Sequence, residues 1–353
     1  MTVFLSVLIA ILAFGFLIFT HELGHYISAR AFGVTVKEFS LGFGPRMLWY
    51  TSKKTGIKYS LALLPFGGFV SMEGEDEETD DPNALSKKPA WQRLIIMASG
   101  AVINLLTGFL LTLILVCNTV LGSTVVAEHP ENLAGNHSTV GILEEGDRIV
   151  SVGGESVTIA SELQYAIMRH GNKPVDVVVV RDGEEITLKN VQFPTQEEQG
   201  QVFGTTDFTV YRVKKDFASV MQHTFHQCVS TVKMVWDSLF DLITGRFTVE
   251  AVSGPIGITG VITDAVGQDG YTVGERALVL LRLVAMIAIN LGVVNLFPLP
   301  ALDGGRVLFL LIEVIFRRPV PQKVEGMIHA VGIILLFGLM ILISVKDVFG
   351  FFV

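Results

Sequence analysis

The chain has 353 residues, half of them hydrophobic and only 17% charged, with a mean hydropathy of +0.54. That balance excludes an ordinary soluble enzyme and points to a polytopic membrane protein. A net charge of −8 gives no electrostatic signal for nucleic acid, and two cysteines, Cys117 and Cys228, supply neither a disulfide framework nor a thiolate metal site.

The first predicted element, residues 1–30, carries an apolar run from about Val3 to Ile27. About 20 such residues cross a ~30 Å hydrocarbon core. The run lacks the basic start of a cleaved leader and passes directly into "HELGH", so it reads as a retained span. His21 and His25 are four apart, share one face of a helix and can hold one metal ion. Glu22 lies beside them, placed to act on water rather than to ligate. Neutral imidazoles suit Zn2+, and ionisable residues within a spanning helix are costly and functional by default. Two histidines fall short of the three protein ligands of a catalytic zinc. Locally, Ala31 stands where a longer zinc motif has its third histidine, and Glu38 sits in a strand-like pattern.

Residues 31–92 form a β-rich loop. "VTVKEFSLGFGPRMLWY" and "GIKYSLALLPFGGFVSM" read as strands joined through "TSKKTG", with Gly42, Gly44, Gly67 and Gly68 permitting turns or close backbone approach. The acidic run Glu73–Asp81 reads as a solvated loop. A second span covers 93–118, and a compact α+β module follows over 122–195. Its "GILEEGDRIVSVGGESV" reads as turn, strand, turn, strand; "IASELQYAIMRHG" as a short helix; "PVDVVVVRDGEEITLKNV" as two strands around a turn. Residues 196–276 comprise a linker, an amphipathic helix over Phe217–Ile243 suited to a membrane surface, and a Gly/Pro-broken membrane-associated loop, Ser253–Val261.

The third span and its terminal turn occupy 277–306, ending in "NLFPLPALDGGR". Pro298 and Pro300 break the helix, and Asp303 follows, with Gly304 and Gly305 freeing the backbone. A fourth span covers 326–350. Lys and Arg concentrate in the loop between spans one and two and in that between spans three and four, while the N-terminal stub has none. Both basic loops are therefore expected in the cytoplasm and both termini outside. Spans one and three then run in the same direction, so "HELGH" and the Asp303 turn emerge at one face. Irregular backbone at membrane depth is tolerated where it lines a protein cavity. On topology alone, Asp303 is either the missing ligand or a solvated interfacial acid.

"HELGH", "NLFPLPALDGG" and the "GILEEGDRI…VGGESV" module, in this order, resemble the site-2 protease family of intramembrane zinc metalloproteases over nearly the whole chain. The inserted module resembles a PDZ domain. The resemblance implies a polytopic α-helical membrane protein with four transmembrane helices, a small cytoplasmic-side β-sheet region and an inserted extracytoplasmic PDZ-like α+β domain. It implies Zn2+ held by His21, His25 and Asp303, with Glu22 as catalytic base. It further implies that Asn295, Pro298 and Pro300 help bind the substrate strand, and that Asn104 keeps the family's amide, either at the substrate or in a helix-packing hydrogen bond. Two features depart from the family: Ala101 stands where many relatives have proline, and "AEHPENLAGNHSTV" offers no clear carboxylate-binding loop. A gating or size-filter role therefore suits the module better than capture of a C-terminus. His129, His137, His170, His223 and His226 are expected to be surface or packing residues.

The activity implied is hydrolysis within or near transmembrane segments of single-span membrane proteins, such as anti-sigma factors or remnant signal peptides. The setting implied is a bacterial inner membrane, with the active site near its cytoplasmic side. The partners are those substrates and the lipid bilayer, not nucleic acid. A transmembrane helix hides its carbonyls in i→i−4 bonds, so the substrate must unwind and can be captured by strand addition. Three other readings remain: a membrane metalloprotease acting on non-transmembrane chains, a non-enzymatic scaffold presenting the PDZ-like module, and a transporter. The absence of a paired repeat weighs against the last.

Overall fold

The computed structural model describes residues 2–350 except 76, 78, 131–138, 199–200, 246–253, 255–256, 258–259, 261, 264–269 and 319. The chain forms two compact units, one of Met1–Leu111 with Val232–Val353 and one of Thr112–Thr231.

The first unit is built on long apolar helices. Among the described residues four helices are long and apolar enough to cross a membrane: Val7–Ala31 within α1 (Thr2–Ala31), α2 (Ala90–Asn118), whose residues from Thr112 on fall in the second unit, α5 (Val273–Asn295), and Lys323–Asp347 within α7 (Gln322–Gly350). Their outward faces are as apolar as their packed ones, so a lipid solvent must cover what the protein does not. The chain is a polytopic membrane protein. Thr272 and Glu275 close a reciprocal capping box at the start of α5. Pro298 and Pro300 prevent that helix from continuing. After the turn a separate helix begins at the metal-type acid, α6 (Asp303–Phe316). The sequence reading had not anticipated it.

Strands β1 (Val36–Thr51) and β2 (Lys58–Met72) each bend sharply. Gly42, Gly44 and Gly67 sit at the bends with φ of 84°, 90° and 86°, a region open to glycine and costly for other residues. The bends let each strand contribute twice to one small sheet. Ser40 faces both Phe69 and Ser60, and Ser60 faces Trp49 on its other side. Gly68–Met72 is thereby left at an edge. The inner face, including Val36, Phe39, Val70 and Met72, packs with Ala29 of α1, Ile96 and Met97 of α2 and Leu310 of α6. Each fully buried side chain of this size stabilises by about 1.5–3 kcal/mol. At the far end Met47, Leu48, Trp49 and Tyr50 are exposed, an apolar tip suited to a membrane interface.

The second unit holds a six-stranded sheet in the order β10-β3-β4-β6-β7, with β5 paired to β4. The strands are β3 (Gly122–Val126), β4 (Arg148–Val152), β5 (Glu155–Ser156), β6 (Val175–Arg181), β7 (Glu184–Val191) and β10 (Val210–Arg212). Helix α3 (Ala160–His170) places Leu163, Ala166 and Ile167 in a core with Ile149, Val177, Val179 and Phe193. A hairpin, β8 (Thr195–Glu198) and β9 (Gln201–Gly204), precedes β10. Because β10 pairs with β3, the sheet extends past residue 195. Helix α4 (Phe217–Ile243) follows, within the bounds expected. Asp147 is fully buried and is held by Arg181 through two hydrogen bonds of 2.7 and 2.8 Å. His129, His170, His223 and His226 bond to Thr139, Glu155, the Ser219 carbonyl and Glu162. His137, most of the segment weighed as a carboxylate-binding loop, and most of Ser253–Val261 lie outside the described residues.

Candidate metal centre

α1 continues past His21 and His25 to Ala31, so the i, i+4 pair projects from one helical face. Their Nε2 atoms lie 3.4 Å apart. Asp303, the first residue of α6, brings Oδ2 to 3.0 Å from His21 Nε2 and 3.2 Å from His25 Nε2. Among the described residues this is the one group of His, Cys, Asp and Glu arranged to hold an ion, with all ligating atoms within 4.8 Å of one another.

The donor set fits Zn2+. Three ligands at 2.0–2.2 Å from one tetrahedral ion are separated by about 3.3 Å, close to the spacings observed. The surroundings leave room for little else. A Cβ at Gly100 of α2 would lie 2.3 Å from His25 Nε2 and 2.9 Å from His21 Nε2. A Cβ at Gly24 would lie 2.5 Å from the Ser99 carbonyl oxygen, so α1 and α2 are in backbone contact here. Ser28 and Ser99 share a 2.8 Å hydroxyl bond at the same crossing. A Cβ at Gly304 would lie 2.1 Å from the Phe297 carbonyl, so the turn before α6 closes only on glycine.

The ring orientations are set from behind. His25 Nδ1–H donates to the Ile96 carbonyl at 2.8 Å, leaving the Nε2 lone pair for a metal. His21 Nδ1 faces the side-chain amides of Asn104 at 3.3 Å and Asn295 at 3.5 Å. Thr20 Oγ donates to the Asn104 side-chain oxygen at 3.0 Å.

Glu22 is buried and lines a cavity of about 200 Å³ shared with both histidines and Asp303. The edge segment of β2 forms one wall through Gly68, Phe69 and Val70. A Cβ at Gly68 would lie 3.0 Å from Glu22 Cγ, so this strand reaches the carboxylate only because it has glycine there. The substrate-side residues read from sequence fall differently. Asn104 is wholly buried behind His21, and it does not line the cavity. Asn295 ends α5 beside His21. Pro298 and Pro300 are both exposed, Pro300 lying against α7 at Gly332, while Ala301 and Leu302 of the same turn line the cavity.

Glu38 belongs to the sheet. Hydrogen bonds from Arg46, at 2.7 Å to each oxygen, hold its carboxyl below the usual range against the upward push of burial, and Ser60 adds another. The head of the acidic run is not simply solvated, which corrects the sequence reading. Glu73 pairs with Lys37, and Glu75 pairs with Arg306 at the cavity wall. Sequence reasoning also missed Thr20 and Gly100. It missed His329, on the cavity wall in the fourth span, where an ionisable residue in an apolar helix was the available signal.

An apolar helical frame carrying a His–His–Asp centre beside a buried glutamate defines a membrane metallohydrolase. The sequence model of Peptidase family M50 matches residues 9–339, and the chain belongs to that family, the site-2 proteases. A Clostridium perfringens protein provisionally named a zinc metalloprotease is 32% identical over 97% of this chain and 98% of its own length. The regulator of sigma-W protease RasP of Bacillus subtilis is 27% identical over 97% of this chain and 98% of its own. The zinc metalloprotease RasP of Geobacillus kaustophilus is 29% identical over 98% of each chain. The protein is a zinc metalloprotease and its metal is Zn2+. The scaffold and transporter readings fall with that assignment.

Proposed function

We propose that this membrane zinc metalloprotease cleaves peptide bonds within or beside the transmembrane segments of single-span membrane proteins. His21, His25 and Asp303 hold the metal, and Glu22 is the catalytic base. The observation that carries the reading is the meeting of the three candidate ligating atoms, with His25 and Asp303 lying 278 residues apart in sequence, beside a buried Glu22. Bound Zn2+ supplies Lewis-acid polarisation of the scissile carbonyl and the attacking water. The Glu22 carboxylate takes the water's proton and returns it to the leaving amine. Asn104 and Asn295 orient the His21 ring from behind. Pro298 and Pro300 end α5 and shape the turn whose Ala301 and Leu302 line the cavity, and so help bind the substrate strand.

The unwound substrate adds to the Gly68–Met72 edge of the small sheet, which lines the catalytic cavity. That geometry favours a span carrying a helix-weakening residue over a short soluble peptide. The charge distribution supports a cytoplasmic-side active site in a bacterial inner membrane and an outward PDZ-like module that limits the size of what approaches. The name of the Bacillus subtilis relative, a regulator of sigma-W protease, supports membrane-anchored regulators of transcription as substrates. Co-expression with candidate single-span proteins tests the reading. A substrate that is cut by the wild type and accumulates whole with Glu22→Gln supports it. Cleavage that is equally fast when the span is a helix without Gly or Pro, or when the chain has no span, would overturn it.

A further inference from the structure

The fourth apolar helix, α7, is exposed along most of its length, with only 11% of its apolar window buried. Its close packing falls on the turn that delivers Asp303. Gly332 is buried there, and a Cβ on it would lie 2.4 Å from Pro300 Cβ and 3.0 Å from the Pro300 carbonyl oxygen. One helical turn earlier, His329 Nδ1 accepts the Ala301 backbone N–H at 3.1 Å. A Cβ on Gly305 would meet His329 Cε1 at 3.2 Å, and the ring packs edge-on to Phe309 with centroids 5.8 Å apart. The imidazole is therefore wedged against both sides of Asp303 in sequence.

Ala301 has a φ of 76°, in the left-handed region. That conformation costs a non-glycine residue about 1–2 kcal/mol and persists only where its surroundings enforce it. An acceptor fixed opposite its N–H supplies that enforcement. A histidine in an apolar span is itself costly, and the backbone bond gives it a reason to be there.

We propose that His329 is a positioning residue for the metal centre. By accepting the Ala301 N–H it holds the turn in its left-handed form, and so fixes the Asp303 carboxylate against the two imidazoles. The proposal rests on the reading of Asp303 as a zinc ligand.

The test measures zinc affinity of the purified full-length protein by competition with a chelator, alongside the melting temperature of the metal-free protein. Asparagine places an amide oxygen near the position of Nδ1, whereas leucine fills the space without an acceptor. His329→Leu is expected to weaken zinc by about 10- to 100-fold, the usual effect of losing a group that orients a ligand. His329→Asn is expected to stay within about threefold of wild type and to melt, metal-free, as the wild type does, while metal-free His329→Leu melts lower because the Ala301 N–H has lost its acceptor. Gly332→Ala, which pushes on the same turn through Pro300, is expected to weaken zinc without any change at His329, and serves if His329→Leu does not fold. Wild-type affinity in His329→Leu or Gly332→Ala, or equal losses in the leucine and asparagine variants, overturns the proposal. Asp303→Ala separates the two levels. If it loses zinc while His329→Leu keeps it, the positioning role alone fails; if it keeps zinc at full affinity, the ligand reading fails.

Discussion

Gly100→Ala probes the centre from α2. The new methyl carbon would stand 2.3 Å from His25 Nε2, 2.8 Å from His21 Cε1 and 2.9 Å from His21 Nε2. Unbonded heavy atoms settle near 3.5 Å, so the His25 ring must retreat by about 1 Å. Zinc sites hold their ligand distances to about 0.2 Å. A displacement several times that tolerance removes His25 as an effective ligand. We expect zinc affinity to fall by at least about 100-fold, equivalent to about 2.8 kcal/mol. The same change replaces glycine by alanine inside a helix, which favours the helix by about 1 kcal/mol. Overpacking of the buried site costs about 1–3 kcal/mol, which outweighs that gain, so the metal-free protein should melt somewhat below wild type, while the stabilisation by added zinc disappears. Chelator competition and thermal melting with and without zinc read both quantities. Wild-type zinc affinity in a folded Gly100→Ala protein would refute the reasoning, because the methyl and the two ring nitrogens cannot share that space.

The remaining predictions concern the base, the strand and the second unit. Glu22→Gln should lower turnover by about 10²- to 10⁴-fold with zinc content unchanged, measured by metal analysis of the purified variant; loss of zinc would make Glu22 a ligand instead. Gly68→Ala places a methyl 2.9 Å from the Ser40 carbonyl oxygen and 3.0 Å from Glu22 Cγ. It should cost about 10- to 100-fold in turnover at unchanged zinc affinity, and full activity would show that the strand does not position the chemistry. In the second unit, burial pushes the Asp147 carboxyl up, but Arg181 and the Glu144 backbone N–H hold it below its ordinary value. A carboxyl with a folded pKa below its unfolded one stabilises fully above the ordinary aspartate value, about 3.9. That contribution is lost as pH falls through the lower, folded value. Arg181→Met should therefore cost about 3 kcal/mol near neutral pH and progressively less in strong acid, read by hydrogen exchange of the β4 and β6 amides. A cost that does not change with pH would contradict the pairing.

What the sequence discloses follows how local each feature is. His21 and His25 declare themselves because a helix repeats every 3.6 residues and the pair needs no other part of the chain. The bends of β1 and β2 were legible in Gly42, Gly44 and Gly67, whose left-handed φ values other residues avoid. Asp303 was readable only up to a shared membrane face, since it lies 278 residues from His25 and its distance to the imidazoles depends on how α1 and α6 pack. Helix α6 escaped notice because Leu302 gives it no side-chain cap and its basic neighbours Arg306, Arg317 and Arg318 look like a loop between spans. Gly100 could not be told from an ordinary small residue in a membrane helix; its role depends on what stands opposite. Glu75 was hidden in a run of acids, where charge is visible and the partner, Arg306, is not.

Zinc K-edge X-ray absorption on the purified protein tests the central claim most directly. Convergence of α1 and α6 predicts a first shell of two imidazole nitrogens and carboxylate oxygen without sulfur, and a spectrum that changes when Asp303 is replaced by alanine. A shell containing sulfur, or one left unaltered in Asp303→Ala, would contradict it.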